Sequence, residues 1–153
     1  MCKQIVKSAI IPYRNKNGII QILLGQADIG GYGYLGGTRE NLESTRDTAS
    51  REFAEECKML FEPINVKKVL MQYPPIVLRV KGFIFNFYII PWEELTSISM
   101  EEFIVQWNKT VIEGRKYNEK KRIGIVNIRN FNVMANTTRM IVSYLPSSIE
   151  CKS

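Results

Sequence analysis

At 153 residues, 45% hydrophobic and 24% charged, the chain has the size and composition of a single globular domain spanning 1–153. No apolar run reaches the length of about 18 residues that a membrane helix needs; the longest, Phe83 to Trp92, is broken by Asn86 and Pro91. Histidine is absent, which excludes Ser-His-Asp triads, histidine-ligated zinc and a histidine general base, and leaves carboxylates, Lys, Tyr and Cys to carry any acid–base or metal chemistry. The net charge of +6 and a pI near 9.3 favour a polyanionic partner. The N-terminal MCKQIVKSAIIPYR lacks the apolar length and cleavage site of a signal peptide. Cys2, Cys57 and Cys151 are odd in number and have no metal-ligand spacing, so reduced thiols and a cytoplasmic location are expected, with Cys57 in the core.

In chain order, Gln4–Tyr13 and Ile19–Leu24 are rich in Ile and Val and read as two strands joined at the turn cluster Asn15–Gly18. Gln26–Tyr34 follows as a loop in which Gly30, Gly31 and Gly33 alternate with Tyr32 and Tyr34. Tyrosines on such a loop either face solvent or stack on a base.

The stretch from Gly36 to Leu60 organises the chain. Ser44 and Asp47 have capping-box spacing, and the helix formers Ala49 to Glu56 follow without Pro or Gly. Ala49, Phe53, Cys57 and Leu60 fall on one side, facing a core, while Glu52, Glu55 and Glu56 gather at i, i+3 and i+4. Such a face is commonly just solvated. If it is not, its mutual repulsion calls for a cation: Arg51, or better Mg²⁺ or Mn²⁺, which select carboxylate oxygen.

The segment reads G-x5-E-x7-R-E-F-x-E-E-x-K-M, with Gly37, Glu43, Arg51, Glu52, Glu55, Glu56 and Met59 in the positions of the Nudix box and Phe53 at one of its apolar positions. It resembles that box throughout, except that Lys58 stands where the family has glycine. The resemblance implies an α/β fold, the Nudix-type α/β/α sandwich with a mixed sheet between helices. It also implies hydrolysis of a diphosphate bond, within a nucleoside diphosphate linked to another group, with Mg²⁺ or Mn²⁺ as cofactor. By the same resemblance Glu52 and Glu56 are metal ligands, Glu55 a ligand or a partner to one, the Gly36 carbonyl a further ligand, and Glu43–Arg51 an orienting ion pair. A left-handed conformation at Lys58 would cost about 1–2 kcal/mol, so the helix is expected to run on through Lys58 to Leu60 before Pro63 ends it.

Beyond Pro63 the chain reads as β-type: strands at Asn65–Tyr73, Ile76–Val80 and Gly82–Ile90, with a turn at Lys81-Gly82. A helical or turn-like stretch begins at Trp92. Ser99–Ile112 reads as a capped helix with Phe103, Ile104, Trp107 and Val111 as its apolar stripe. The basic run Arg115–Arg122 precedes a strand at Ile123–Ile128. A closing helix is expected over Phe131–Leu145, with Met134, Thr138, Ile141 and Tyr144–Leu145 on one face, then a short polar tail over 146–153.

Glu119, just before the strand Ile123–Ile128, is the candidate general base, its alternative role being a lone acid that tempers a basic loop; Glu93, Glu94 and Glu113 are the other possibilities. Tyr32, Tyr34, Arg115, Lys116, Lys120 and Lys121 are candidate substrate contacts. The basic run and net charge favour a phosphate-rich substrate, and capped RNA fits this first, since Lys and Arg contacts to phosphates dominate nucleic-acid affinity. Small nucleotides (nucleoside triphosphates, ADP-ribose, dinucleoside polyphosphates), diphosphoinositol polyphosphates, and a ligand- or RNA-binding module on the same fold are the alternatives.

Overall fold

The computed structural model describes residues 4–145, so the polar tail expected at 146–153, Cys2 and Cys151 lie outside the described residues. Its centre is β1 (Ile5–Lys16), which is hydrogen-bonded along both edges. On one side β1 runs parallel to β5 (Phe83–Pro91), from Ile5 opposite Phe83 to Tyr13 opposite Pro91. On the other it pairs antiparallel with β3 (Leu35–Thr38) at Lys7–Ile10 and then with β2 (Ile19–Gln26) at Tyr13–Lys16. β4 (Ile76–Val80) flanks β5 and β6 (Arg122–Asn127) flanks β2, giving a mixed sheet in the order β4-β5-β1-β2-β6. The first hairpin is tighter than the turn cluster suggests. β1 runs on to Lys16, and the turn is Asn17-Gly18 alone, both at positive φ (55° and 85°), as a two-residue hairpin matched to strand twist requires.

Strand alternation splits the core into two layers. Ile10, Leu23, Tyr88 and Ile90 face helices α1 (Thr45–Glu56), α2 (Pro63–Leu70), α3 (Trp92–Leu95) and α4 (Met100–Lys109), and pack with Phe53, Cys57, Val66, Leu70, Trp92, Phe103 and Trp107. Ile11, Ile22, Leu24, Phe87 and Ile89 face the other way, toward Ile141 and Val142 of α5 (Asn136–Val142) with Met134 and Leu145. The architecture is an α/β/α sandwich. No helix among the described residues is long and apolar enough to cross a membrane.

Four expectations are corrected. Asn65–Tyr73 is not a strand: Pro63 sits in the first turn of α2, and Val66 and Leu70, four apart, turn inward while Lys68, which alternation would have put on the same face as both, is exposed. The helix starting at Ser99 stops at Lys109, leaving Val111 91% exposed and outside the stripe. The closing helix is shorter; Phe131–Val133 is a 3₁₀ turn, and α5 begins only at Asn136. Met134, Thr138, Ile141 and Leu145 are buried all the same, while Tyr144 is exposed.

The fourth concerns Lys58. Helix α1 ends at Glu56, and Lys58 and Met59 adopt left-handed backbone at φ 55° and 58°. The Lys58 N–H donates to the Glu55 carbonyl (3.0 Å) and the Met59 N–H to the Ala54 carbonyl (2.8 Å), the bond pattern of a Schellman cap with lysine in the glycine position. Leu60 is therefore exposed, and Phe61 instead enters the core against Phe53 and Phe103, at ring separations of 5.2 and 5.1 Å. The strain is offset by the side chain. Lys58 Nζ donates to the carbonyls of Trp107 (2.9 Å) and Thr110 (3.0 Å) at the end of α4, and lies 3.6 Å from the centre of the Trp107 ring. Lys58→Met keeps the strained backbone and loses these contacts, so it should destabilise by about 2 kcal/mol. Lys58→Gly loses the same contacts but relieves about 1 kcal/mol of strain, so it should cost roughly half as much. Thermal unfolding of both variants beside the parent checks this; a glycine variant less stable than the methionine one contradicts it.

Candidate active site

The site forms where β3 meets α1. A Cβ on Gly37 would run into the carboxyl group of Glu52, and one on Gly36 into the Ser8 carbonyl and Ala9 of β1, so paired glycines are what let the helix lie against the strand. The helix entry is held by a reciprocal cap: the Asp47 N–H donates to Ser44 Oγ (3.0 Å) and the Ser44 N–H to Asp47 Oδ2 (2.9 Å).

Arg51 joins the loop to the carboxylate face. Its Nε donates to Glu43 Oε2 (2.7 Å) and Nη2 to Glu43 Oε1 (3.1 Å), a two-pronged pair, while Nη1 reaches Glu52 Oε1 (2.9 Å) and Glu55 Oε1 (3.1 Å). The guanidinium holds the Glu43 carboxyl below its usual pKa, helped by the Glu40 N–H and the Thr48 hydroxyl. Burial pushes Glu52 up, against the lowering effect of Arg51. Glu43, Glu52 and Glu55 thus gather around Arg51, and among the described residues no three acidic side chains come together so as to hold a metal ion.

Glu56 is different. It is 2% exposed; its Oε1 accepts from the Gly36 N–H (2.9 Å), and its backbone carbonyl accepts from the Trp107 indole N–H (2.9 Å). Oε2 is buried without a hydrogen-bond partner, and the nearest cation is Lys120 Nζ at 3.7 Å. Burial pushes its pKa up to about 8 despite Lys120, with Glu52 and Glu119 adding to the rise. An orphaned carboxylate oxygen one turn from Glu52 fits a divalent cation, since oxygen ligands of this kind are what Mg²⁺ and Mn²⁺ take.

The other candidate residues separate. Glu119 is exposed and close enough to raise the pKa of both Glu52 and Glu56. The Tyr34 hydroxyl is pushed up to about 12 by burial and by Glu56 and Glu52, so it is a proton-bearing donor beside the carboxylates; its ring meets Phe85 edge-on. Tyr32 packs over Gly124, its backbone bonded to Val133 and Ala135, which ties the glycine loop to the start of α5. Of the basic run, Arg115, Lys116 and Lys121 are exposed, and only Lys120 turns inward. Lys120 lines a groove of about 280 Å³ with Gly31, Gly33, Tyr34, Gly36 and Thr138. Sequence reasoning passed over Thr138 as a groove residue, Trp107 as the partner of Glu56, and Gly25, on which the Lys120 stem rests. A lone glycine inside an Ile/Leu strand was the available signal for the last.

The Glu56 shift carries a pH dependence. An unfolded carboxyl ionises near 4.5 and the folded one near 8, so the folded protein holds the extra proton between them and stability falls as pH rises through that window. In EDTA, the melting temperature of the parent minus that of Glu56→Gln is expected to fall from pH 5 to about pH 8 and to level off above it. A flat difference contradicts the burial of this carboxyl.

No family model and no curated protein sequence matches the chain. Solved structures do. It is similar to an Ap4A hydrolase from C. elegans, at 13% identity and TM-score 0.59, covering 95% of this chain and 98% of that one. A mutT/nudix family protein from Listeria innocua aligns at 14% identity and TM-score 0.59, over 99% and 98% of the two chains. A bifunctional NMN adenylyltransferase/ADP ribose pyrophosphatase from Francisella tularensis, complexed with AMP and a manganese ion, aligns at 15% identity and TM-score 0.64, over 97% of this chain and 42% of that one. At such identities the likeness establishes architecture, and the architecture of this chain is the Nudix fold.

Proposed function

We propose that the protein is a metal-dependent hydrolase that cleaves a diphosphate bond in a small nucleotide. The observation that carries this is the buried Glu56 carboxylate, with one oxygen unpartnered, set beside Glu52 against a glycine pair and next to Gly36 and Lys120, which line a groove. Glu52 and Glu56, with Glu55 and the Gly36 carbonyl, would hold Mg²⁺ or Mn²⁺, and the Glu43–Arg51 pair would keep the helix in register with its loop. The cation, when bound, lowers the pKa of water and offsets the charge of the phosphates. Glu119, which is exposed and near enough to act on Glu52 and Glu56 through its charge, would accept the proton of the attacking water.

Two considerations favour a small nucleotide over capped RNA. Strand binding needs a track of cations, whereas this basic run spends Arg122 on Gln26 (3.0 Å) and sets Lys116 over Tyr117, leaving Lys120 alone in the groove. The Ap4A hydrolase and ADP ribose pyrophosphatase named above act, by their names, on small dinucleotides or nucleotide sugars, and we extend that substrate class to this chain. The buried thiol of Cys57 accords with a cytoplasmic setting.

Assay of ADP-ribose, dinucleoside polyphosphates, nucleoside triphosphates, diphosphoinositol polyphosphates and capped RNA with Mg²⁺ or Mn²⁺ tests the reading. Turnover of a dinucleotide or nucleotide sugar is expected, with Glu56→Gln lower by at least about 100-fold. Ligand binding with no turnover of any substrate would make the protein a binding module instead. Glu119→Gln should lower kcat on the order of 100-fold and remove the acid limb of the pH–rate profile; an unchanged profile would remove Glu119 from the chemistry.

A further inference from the structure

Lys120 occupies a place prepared for it. Gly25 and Gly33 face each other across a two-bond bridge, Gly25 N–H to the Gly33 carbonyl at 2.9 Å and Gly33 N–H to the Gly25 carbonyl at 2.6 Å. The lysine stem lies on this floor: a Cβ on Gly25 would come within 2.9 Å of Lys120 Cδ. The side chain is only 19% exposed, although Glu119 and Lys121 on either side are exposed.

Its ammonium stands between two environments. Toward the helix it is 3.7 Å from Glu56 Oε2, too far for a hydrogen bond and near enough for charge pairing, and that oxygen has no other partner. Toward solvent it lines the groove with Gly31, Gly33, Tyr34 and Thr138. Among the described residues no hydrogen bond engages Nζ, so only charge holds it in place, and a four-carbon stem lets a lysine head swing without moving the backbone.

We propose that Lys120 is an exchangeable counter-ion. Where Glu56 is ionised and no divalent cation is present, the ammonium pairs with that carboxylate; an entering cation takes over the carboxylate and releases the ammonium into the groove, where it holds a phosphoryl group of the substrate. This deepens the hydrolase reading and rests on its metal site. Two consequences follow from one side chain. Lys120 opposes binding of the metal alone and favours binding of a diphosphate once metal is bound, so metal and diphosphate reinforce each other reciprocally.

The test, run at about pH 8.5 so that Glu56 is ionised, measures Mn²⁺ alone, by titration calorimetry or electron paramagnetic resonance, and then the non-cleavable diphosphate methylenediphosphonate at saturating Mg²⁺. Lys120→Met should bind Mn²⁺ about 3- to 10-fold more tightly than the parent and methylenediphosphonate at least about 5-fold more weakly. Lys120→Arg, which keeps the charge, should bind Mn²⁺ like the parent. Lys81→Met, at the exposed β4–β5 turn, makes the same change in net charge and should move neither affinity. Unchanged or weaker Mn²⁺ binding in Lys120→Met overturns the proposal, as does tighter Mn²⁺ binding with diphosphonate affinity intact. It also falls if the parent binds Mn²⁺ no better than Glu56→Gln, since the metal site itself is then wrong. Failure to hydrolyse any nucleotide, with both affinity shifts present, would overturn the catalytic reading and support this one.

Discussion

One guanidinium makes the site possible. Glu43, Glu52 and Glu55 all lie within 3.1 Å of Arg51, and Glu40 is at 3.7 Å. Carboxylates at i, i+3 and i+4 repel each other on an isolated helix, and burial sharpens that repulsion by lowering the dielectric. Arg51 balances it from inside the cluster. Its two-pronged bond to Glu43 also fixes the loop after β3 against α1, so the cation that offsets the charge is the one that sets the geometry.

Glu56 stands outside that arrangement, and the fold builds its surroundings from three directions. Gly36 of β3 donates to its carboxylate, Trp107 of α4 donates to its carbonyl, and Lys120 approaches from the segment before β6. Lys58 strengthens the second of these. By accepting left-handed backbone it ends α1 directly after Glu56, and its ammonium then clasps the last carbonyls of α4. A glycine would make the same turn with less strain but could not clasp α4. Here a lysine at the helix end links α1 to α4.

The hydrophobic pattern carried most of the sheet. Ile- and Val-rich runs marked β1, β2, β4 and β5, and alternation along them assigns Ile10, Leu23 and Tyr88 to one layer and Ile11, Ile22 and Phe87 to the other. It failed at α2, where Val66, Val69 and Leu70 suit either period over so short a span and β-branched residues argued for a strand. Burial against α1, together with Arg46 donating to the Leu70 and Tyr73 carbonyls, decided for helix. Those partners are 24 and 27 residues away, beyond the reach of any local pattern.

By itself the sequence determined the chemistry that is available. Without histidine, and with Glu43, Arg51, Glu52, Glu55 and Glu56 at fixed helical intervals after Gly36-Gly37, a carboxylate site at a loop–helix junction was already written, because covalent spacing and helix pitch place those groups. Which carboxylate lies deep, and which of five basic residues in Arg115–Arg122 faces it, was not. In sequence those cations are equivalent charges on one segment. Only the packing of that segment beside the Gly25–Gly33 bridge turns Lys120 inward and leaves the rest in water, because burial and long-range charge pairing are properties of elements brought together from distant parts of the chain.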